Sequence, residues 1–226
     1  MEFIWIYVYY LICQIAKKLT TAGTNSQWIQ SLAIALYTIA LLVWLFLSGK
    51  ARKLGLCRIK RNYARFAEIA FFLLVFPMCN LFTSAYLEKD PAVIVMTFSI
   101  CLIEEIFFRG LLLQRLKRYG LKACVLLSSG LFALYHLGNL FVIRDVGYVL
   151  LQTISAFSAG MCYAVSAILM DSLLPCVVAH FFVNITAAPD MDIRTGALWV
   201  CSGISCFCYY YFGGKKIIVD KGESGK

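Results

Sequence analysis

Long apolar runs, separated by short polar loops, dominate the pattern of the chain. A helix that crosses a membrane needs about 20 apolar residues. Eight runs of roughly this kind cover residues 3–16, 28–48, 66–87, 92–116, 121–143, 146–170, 173–188 and 197–212. The pattern therefore predicts an all-α fold, a polytopic transmembrane bundle of about eight helices in which residues 1–226 form one integral membrane domain.

Composition supports this prediction. The chain of 226 residues is 62% hydrophobic and 15% charged, with a mean hydropathy of +0.80. Soluble domains are usually 45–50% apolar and about 25% charged. The net charge of +9 does not suggest a nucleic-acid partner, because no basic stretch is interleaved with exposed aromatic residues. The predicted partners are the lipid bilayer and a peptide or protein, not nucleic acid.

The distribution of basic residues predicts the topology. Cytoplasmic loops of membrane proteins collect Lys and Arg. With both termini in the cytoplasm, the cytoplasmic segments 49–65, 115–122 and 213–226 hold 15 basic residues and the outer ones hold five. If residues 3–16 do not fully span, the N-terminus moves outside and the remaining topology stands.

The run 3–16 has no basic segment before it and no cleavage site after it, so we expect a retained helix. We expect the tail 213–226 to be disordered.

Three charged residues lie inside the run 92–116. Glu104, Glu105 and Arg109 fall within six residues of one another. Each charge in the middle of a span costs roughly 2.5–3.5 kcal/mol on insertion scales, so such residues usually have partners or a function. Glu105 and Arg109 are four apart, which predicts a buried ion pair on one helix face. Glu104 points about 100° away, towards a possible cavity.

Both histidines of the chain also lie in apolar runs. His136 is in the fifth run, and His180 is followed four residues later by Asn184, on the same helix face. A histidine and an asparagine on one face can donate two hydrogen bonds to one oxyanion. A glutamate and a second histidine can take a proton from water. Together these groups predict a hydrolytic site inside the membrane.

Metal use stays open on these residues. Two histidines and one carboxylate can hold zinc, so a divalent ion such as zinc on Glu104, His136 and His180 is the alternative to a site without a cofactor. The HExxH signature of zinc peptidases does not occur in the chain.

Three separated motifs resemble those of one known family. The sequence reads Glu-Glu-x-x-Phe-Arg-Gly at 104–110, Phe-x-x-x-His at 132–136 and His-x-x-x-Asn at 180–184. In this order they resemble the motifs of the CPBP family, the CAAX proteases and bacteriocin-processing enzymes that are also called Abi proteins. The resemblance covers about residues 91–188, the expected catalytic core.

The resemblance implies an intramembrane endopeptidase with its active site inside a helical bundle. Carried over, Glu104 and His136 would activate water without a metal, and His180 and Asn184 would form the oxyanion hole. Glu105 and Arg109 would support the site. The short loops are similar to the bacterial branch of the family. We therefore expect a bacterial cell membrane protein whose substrate is a bacterial peptide or membrane-associated protein, entering from the membrane or the cytoplasmic side.

Two other functions fit the same residues. A non-catalytic bacteriocin-immunity protein or sensor scaffold of the family could keep the site as a binding cavity. A small transporter or proton relay could use intramembrane Glu, Arg and His residues as an ion path, although the three spaced motifs argue against it.

Depth along the runs gives one further expectation. At 1.5 Å per residue, Glu104 lies about 16 Å and His180 about 12 Å from the cytoplasmic end of its run. His136 lies about 22 Å in by the same count. This mismatch predicts that the helix carrying His136 starts later than Leu121, tilts or bends.

Overall fold

The structure is a computed structural model of the chain. It describes residues 8, 26–56, 69–71, 73–78, 80, 90–141, 145–187 and 193–213. The run 3–16, apart from residue 8, and the tail beyond 213 lie outside the described residues.

The described residues are helical, as the pattern of apolar runs predicts. We number the α-helices α1 Ser26–Leu47, α2 Lys50–Lys53, α3 Pro91–Glu105, α4 Leu113–Leu116, α5 Leu121–His136, α6 Val146–Met170, α7 Leu174–Thr186 and α8 Ile193–Gly213. A π-helical stretch, Ile106–Leu112, joins α3 to α4, and 3-10 turns follow α4 and α5 at Lys117–Tyr119 and Leu137–Phe141. Residues 69–71, 73–78 and 80 are also helical. The all-α, polytopic helix bundle is thus confirmed.

Within the described part of the chain, four helical stretches are long and apolar enough to cross a membrane. They are Gln27–Leu47, Pro91–Tyr119, Leu121–Phe141 and Val146–Met170. Two shorter apolar helices, Ile69–Met78 and Leu174–Thr186, accompany them. Helix α8 coincides with the predicted eighth run, but its tyrosines, serines and Arg194 lower its hydropathy. The chain is a membrane protein.

Helix α3 begins where the sequence predicts. Pro91 occupies the first helical position, where its missing N–H costs nothing. The Asp90 side chain caps the helix by accepting a hydrogen bond from the Ala92 backbone N–H at 2.7 Å. The Ser31 hydroxyl on α1 donates to the Ala92 carbonyl and ties α1 to this end of α3.

The π-helical stretch was not predicted from the sequence. It begins directly after the two glutamates and includes Arg109. The Leu113 backbone N–H reaches back five residues to the Phe108 carbonyl, which is the π pattern. Such wider turns inside helices are frequent at functional sites.

Helix α6 is the central helix of the bundle, packed against α5 on one side and α8 on the other. Small residues allow this close packing. A Cβ atom on Gly203 of α8 would lie 2.5 Å from the Ser158 Cβ. A Cβ on Gly160 would lie 3.2 Å from the Ser129 Cβ of α5. The backbones therefore approach at these glycines more closely than larger residues would allow.

Two turns meet beside the π-helical stretch. The Leu173 backbone N–H donates to the Gly55 carbonyl at 3.1 Å, which joins the turn after α2 to the turn before α7. Asp171, in the turn between α6 and α7, adopts a left-handed conformation with φ 51°. Gly110, the last residue of the first motif, faces both turns: a Cβ there would lie 3.2 Å from Leu173 and 3.5 Å from Leu54.

Candidate active site

Glu105 and Arg109 form the predicted ion pair. Arg109 Nη1 donates to Glu105 Oε1 at 3.0 Å, and both side chains are completely buried. Arg109 Nη2 also lies 3.4 Å from the Gly160 carbonyl oxygen of α6. The pair is therefore an interior crosslink between the first motif and α6, and the opposite charges offset part of the cost of burial.

Three aromatic rings surround the Arg109 guanidinium. Its central carbon lies 4.2 Å from the ring centroid of Phe132, 5.3 Å from Tyr163 and 5.8 Å from Phe108. A cation within about 6 Å of an aromatic face is attracted by the ring quadrupole. Phe132, the first residue of the second motif, therefore packs against the buried cation.

His180 connects the third motif to the first. Its Nδ1 lies 2.9 Å from Glu105 Oε1, the oxygen that Arg109 also contacts. A carboxylate accepts hydrogen bonds, so Nδ1 carries the proton in this contact. The other nitrogen, Nε2, lies 3.7 Å from Glu104 Oε2. The imidazole therefore lies between the two glutamates of the first motif.

Two aromatic rings hold the plane of His180. Tyr163 of α6 stacks on it, with ring centroids 5.3 Å apart and planes inclined by 28°. Phe132 of α5 packs edge-on, with centroids 5.6 Å apart. With Glu105 bound to one nitrogen and rings packed on its sides, His180 has little freedom to rotate.

His136 comes from the end of α5. Its Nδ1 lies 2.9 Å from the Phe132 carbonyl oxygen. Because a carbonyl can only accept, Nδ1 is the protonated nitrogen and the Nε2 lone pair is left available. Helix α5 begins at Leu121, so of the three expected explanations for the depth of His136 a later start is excluded, and a tilt or a bend stays a prediction. The preceding Gly120, at φ 88°, ends the turn there and lets α5 begin.

Asn184 lies one turn after His180 on α7. Its Nδ2 donates to the Cys101 Sγ on α3 at 3.3 Å. Cys101 is completely buried and lies one turn before the glutamates. An amide nitrogen carries two protons, so one remains for another acceptor while the sulfur orients the group.

A cavity of about 60 Å³ lies beside these groups. A single water needs roughly 10–15 Å³, so the cavity has room for several. His136, His180 and Asn184 line it together with Gln152 and Tyr163, and its apolar walls are Phe132, Ala156, Ala159, Val183, Ala187 and Trp199. Glu104 is not among the described residues that line the cavity; it lies next to His180, and its side chain is 9% exposed.

The structure thus brings the six predicted residues to one place. Glu104, Glu105, Arg109 and His180 form a connected cluster, and His136 and Asn184 reach the same cavity from α5 and α7. Glu104 contacts His180, and its expected action on water together with His136 stays a prediction. Sequence reasoning missed Tyr163, Cys101 and Trp199 as members of the site, because none belongs to a motif.

The alternative metal site on Glu104, His136 and His180 stays a prediction. Both histidines donate Nδ1–H, as metal-binding histidines usually do. Yet in the described part of the chain no group of three or more His, Cys, Asp or Glu side chains is arranged to hold a metal ion. We therefore derive no step through a metal.

Comparison with known proteins finds a family model that matches part of the chain. Residues 87–186 match the family model described as Type II CAAX prenyl endopeptidase Rce1-like. The matched segment contains all three motifs and runs from just before α3 to the end of α7. No curated protein and no solved structure matches the chain. Over this segment the chain is similar to the CPBP family of CAAX-protease-like intramembrane endopeptidases.

Proposed function

We propose that the protein hydrolyses a peptide bond inside the membrane with a water molecule activated by Glu104 and His136. His180 and Asn184 donate hydrogen bonds to the oxyanion. The observation that carries the proposal is the buried cluster of Glu104, Glu105, Arg109 and His180 beside a cavity large enough for water. Charged side chains are costly to place inside a membrane, and those that occur there usually have a function.

Water activation needs a base and a group that orients the water. The Glu104 carboxylate lies 3.7 Å from Nε2 of His180, and His180 lines the cavity. His136 faces the cavity with its Nε2 lone pair available. A water held by His136 Nε2 gives its proton to Glu104 and attacks the carbonyl carbon. A general base of this kind contributes about 10²–10⁴-fold to the rate.

Each proposed oxyanion donor is oriented by a hydrogen-bond partner of its own. Glu105 accepts the Nδ1 proton of His180, and a second proton on Nε2 turns this nitrogen into a donor towards the cavity. Cys101 orients the Asn184 amide, whose second N–H is the other donor. Donors fixed before the reaction need no reorganisation when the oxyanion forms, and each is worth about 10²–10³-fold.

Collapse of the tetrahedral intermediate completes the reaction. The carbon–nitrogen bond breaks, and the proton that Glu104 took from water passes to the leaving amine. The new carboxylate carries the water oxygen, and Glu104 returns to its starting form. Arg109 holds Glu105 in place throughout.

The walls of the cavity suggest the class of substrate. Apart from the polar residues named above, they are apolar side chains. They fit a peptide or a segment of a membrane-associated protein with apolar residues near the scissile bond. The bias of 15 basic residues against five supports a multi-pass protein with both termini in the cytoplasm, and the short loops support a bacterial membrane.

The test is cleavage of a peptide panel by the purified protein. The panel contains CAAX-type peptides, prenylated and unprenylated, and an unmodified apolar library. Wild type, Glu104→Gln and the matched control Asp90→Asn are compared; Asp90 caps the same helix, and Asn also caps well. Cleavage by wild type and the control, with a loss of at least about 100-fold in Glu104→Gln, is expected. Equal cleavage by Glu104→Gln would overturn the mechanism. Absence of wild-type cleavage across the panel would favour the non-catalytic immunity or scaffold protein.

A further inference from the structure

Two buried polar groups beside the cavity lack a hydrogen-bond partner. The Tyr163 hydroxyl and the Trp199 indole N–H are both inaccessible to solvent and unpaired within the described part of the chain. Tyr163 is 1% exposed and Trp199 is 6% exposed. A buried donor without a partner costs roughly 1–3 kcal/mol, so two of them at one place need an explanation.

Both residues line the cavity that holds the proposed catalytic groups. Tyr163 comes from α6, where its ring stacks on His180. Trp199 comes from α8, beyond the segment 87–186 that matches the family model. Neither belongs to one of the three motifs, and the mechanism above uses neither.

The chemistry of the two groups indicates what they bind. The indole N–H can only donate, and a phenol hydroxyl readily donates. The complementary ligand is an acceptor oxygen without a proton. A peptide bound across the cavity presents such oxygens at every residue, since each backbone carbonyl is an acceptor.

We propose that Tyr163 and Trp199 form a carbonyl anchor: their donors lie just behind the cavity wall in the substrate-free protein, become accessible when a peptide enters, and hold a backbone carbonyl of the substrate next to the scissile bond. This inference rests on the proposed function, because it takes a peptide as the ligand. It assigns α8 a part in substrate binding. The anchor fixes the peptide at one carbonyl while His180 and Asn184 hold the reacting one, so hydrolysis requires a peptide with at least two carbonyls correctly spaced.

A purely structural explanation exists for Trp199. Its ring meets Phe76 edge to face, with centroids 5.4 Å apart and planes inclined by 82°. An indole N–H directed at an aromatic face gains a weak hydrogen bond. In that case Trp199→Phe would lower stability and leave peptide binding unchanged. Tyr163→Phe, which removes only the hydroxyl, is free of this ambiguity.

The experiment measures binding separately from cleavage. Glu104→Gln serves as the parent, since it keeps the cavity but lacks the base. The probe is a fluorescent, unprenylated CAAX-type peptide. Its Kd is compared among the parent, parent with Tyr163→Phe and parent with Trp199→Phe. Tyr37→Phe is the matched control, because it removes a buried hydroxyl on α1 that does not line the cavity. The melting temperature of each unliganded variant is recorded alongside.

The carbonyl anchor predicts that Tyr163→Phe and Trp199→Phe each raise Kd about 2- to 10-fold. Tyr37→Phe should leave Kd unchanged, and Tyr163→Phe should not lower the melting temperature. Unchanged Kd in Tyr163→Phe, or no binding by the parent, would overturn the inference. If the parent binds but wild type cleaves nothing, the proposed function fails and the anchor stands.

Discussion

Removal of the Arg109 side chain tests the buried cluster in isolation. In Arg109→Ala, Glu105 loses its 3.0 Å partner while remaining completely buried. The Gly160 carbonyl loses its contact at 3.4 Å, and Phe132 loses the cation above its ring. We expect lower stability together with lower activity, because the same carboxylate holds His180.

The magnitude follows from the remaining contacts of Glu105. Removing one partner of a buried ion pair typically costs about 3–5 kcal/mol. Glu105 keeps the His180 Nδ1 donor at 2.9 Å, which favours the lower end. Loss of the cation–ring contact adds about 0.5–2 kcal/mol. The free energy of unfolding should therefore fall by about 4 kcal/mol.

The assay is unfolding of the purified protein in detergent micelles, followed by circular dichroism. Arg118→Ala is the matched control, since Arg118 is an exposed arginine that contacts Tyr119, and it should change stability by less than about 0.5 kcal/mol. The double variant Glu105→Gln/Arg109→Ala completes a mutant cycle. Neutralising the stranded carboxylate should recover about 1–3 kcal/mol relative to the sum of the single changes.

Two results would refute this reasoning. Unfolding of Arg109→Ala at the same denaturant concentration as wild type would show that the pair does not stabilise the fold. Additive effects in the cycle would show that Arg109 acts without Glu105.

Further predictions concern helix contacts and the Asn184 amide. Gly203→Ala should destabilise the bundle by about 1–3 kcal/mol in the same unfolding assay, since its Cβ would lie 2.5 Å from the Ser158 Cβ. Gly130→Ala is the control: a Cβ there meets nothing within 4 Å, so this change should stabilise the bundle by about 0.5–1 kcal/mol. Equal effects of the two substitutions on the free energy of unfolding would contradict the close approach of α8 to α6. Cys101→Ala should lower kcat with little change in KM, because Asn184 loses its 3.3 Å acceptor. Cys101→Ser, which keeps an acceptor, should recover most of the rate, and full activity in Cys101→Ala would exclude a positioning role.

The start of the helix that carries the first motif, and the ion pair within that motif, could be predicted from local sequence rules. Pro91 begins α3, and the spacing of four between Glu105 and Arg109 produces the buried pair. Both features depend on the geometry of a single helix, which a sequence shows directly. Small residues on α6 likewise permit a close helix approach that the sequence can indicate, and α5 approaches closely at Gly160.

Contacts between helices could be predicted less well from the sequence. His180 binds Glu105 and faces Glu104, because the rotations of α3 and α7 bring these side chains together. Helix rotation is set by packing over the whole interface, which no local pattern reveals. The π-helical stretch after Glu105 could not be predicted for a related reason. The same apolar run also fits the regular α-helical period of 3.6 residues. Tyr163 and Trp199 resemble ordinary packing residues until the cavity is seen.

The central claim is that Glu104 activates water without a metal. The most direct measurement is the rate of peptide cleavage by purified wild type before and after treatment with a strong chelator, with the metal content determined on the same sample. The account predicts an unchanged rate in metal-depleted protein and a rate reduced at least about 100-fold in Glu104→Gln. Loss of cleavage on chelation, with recovery when zinc is added, would contradict it and would assign Glu104, His136 and His180 to a metal instead.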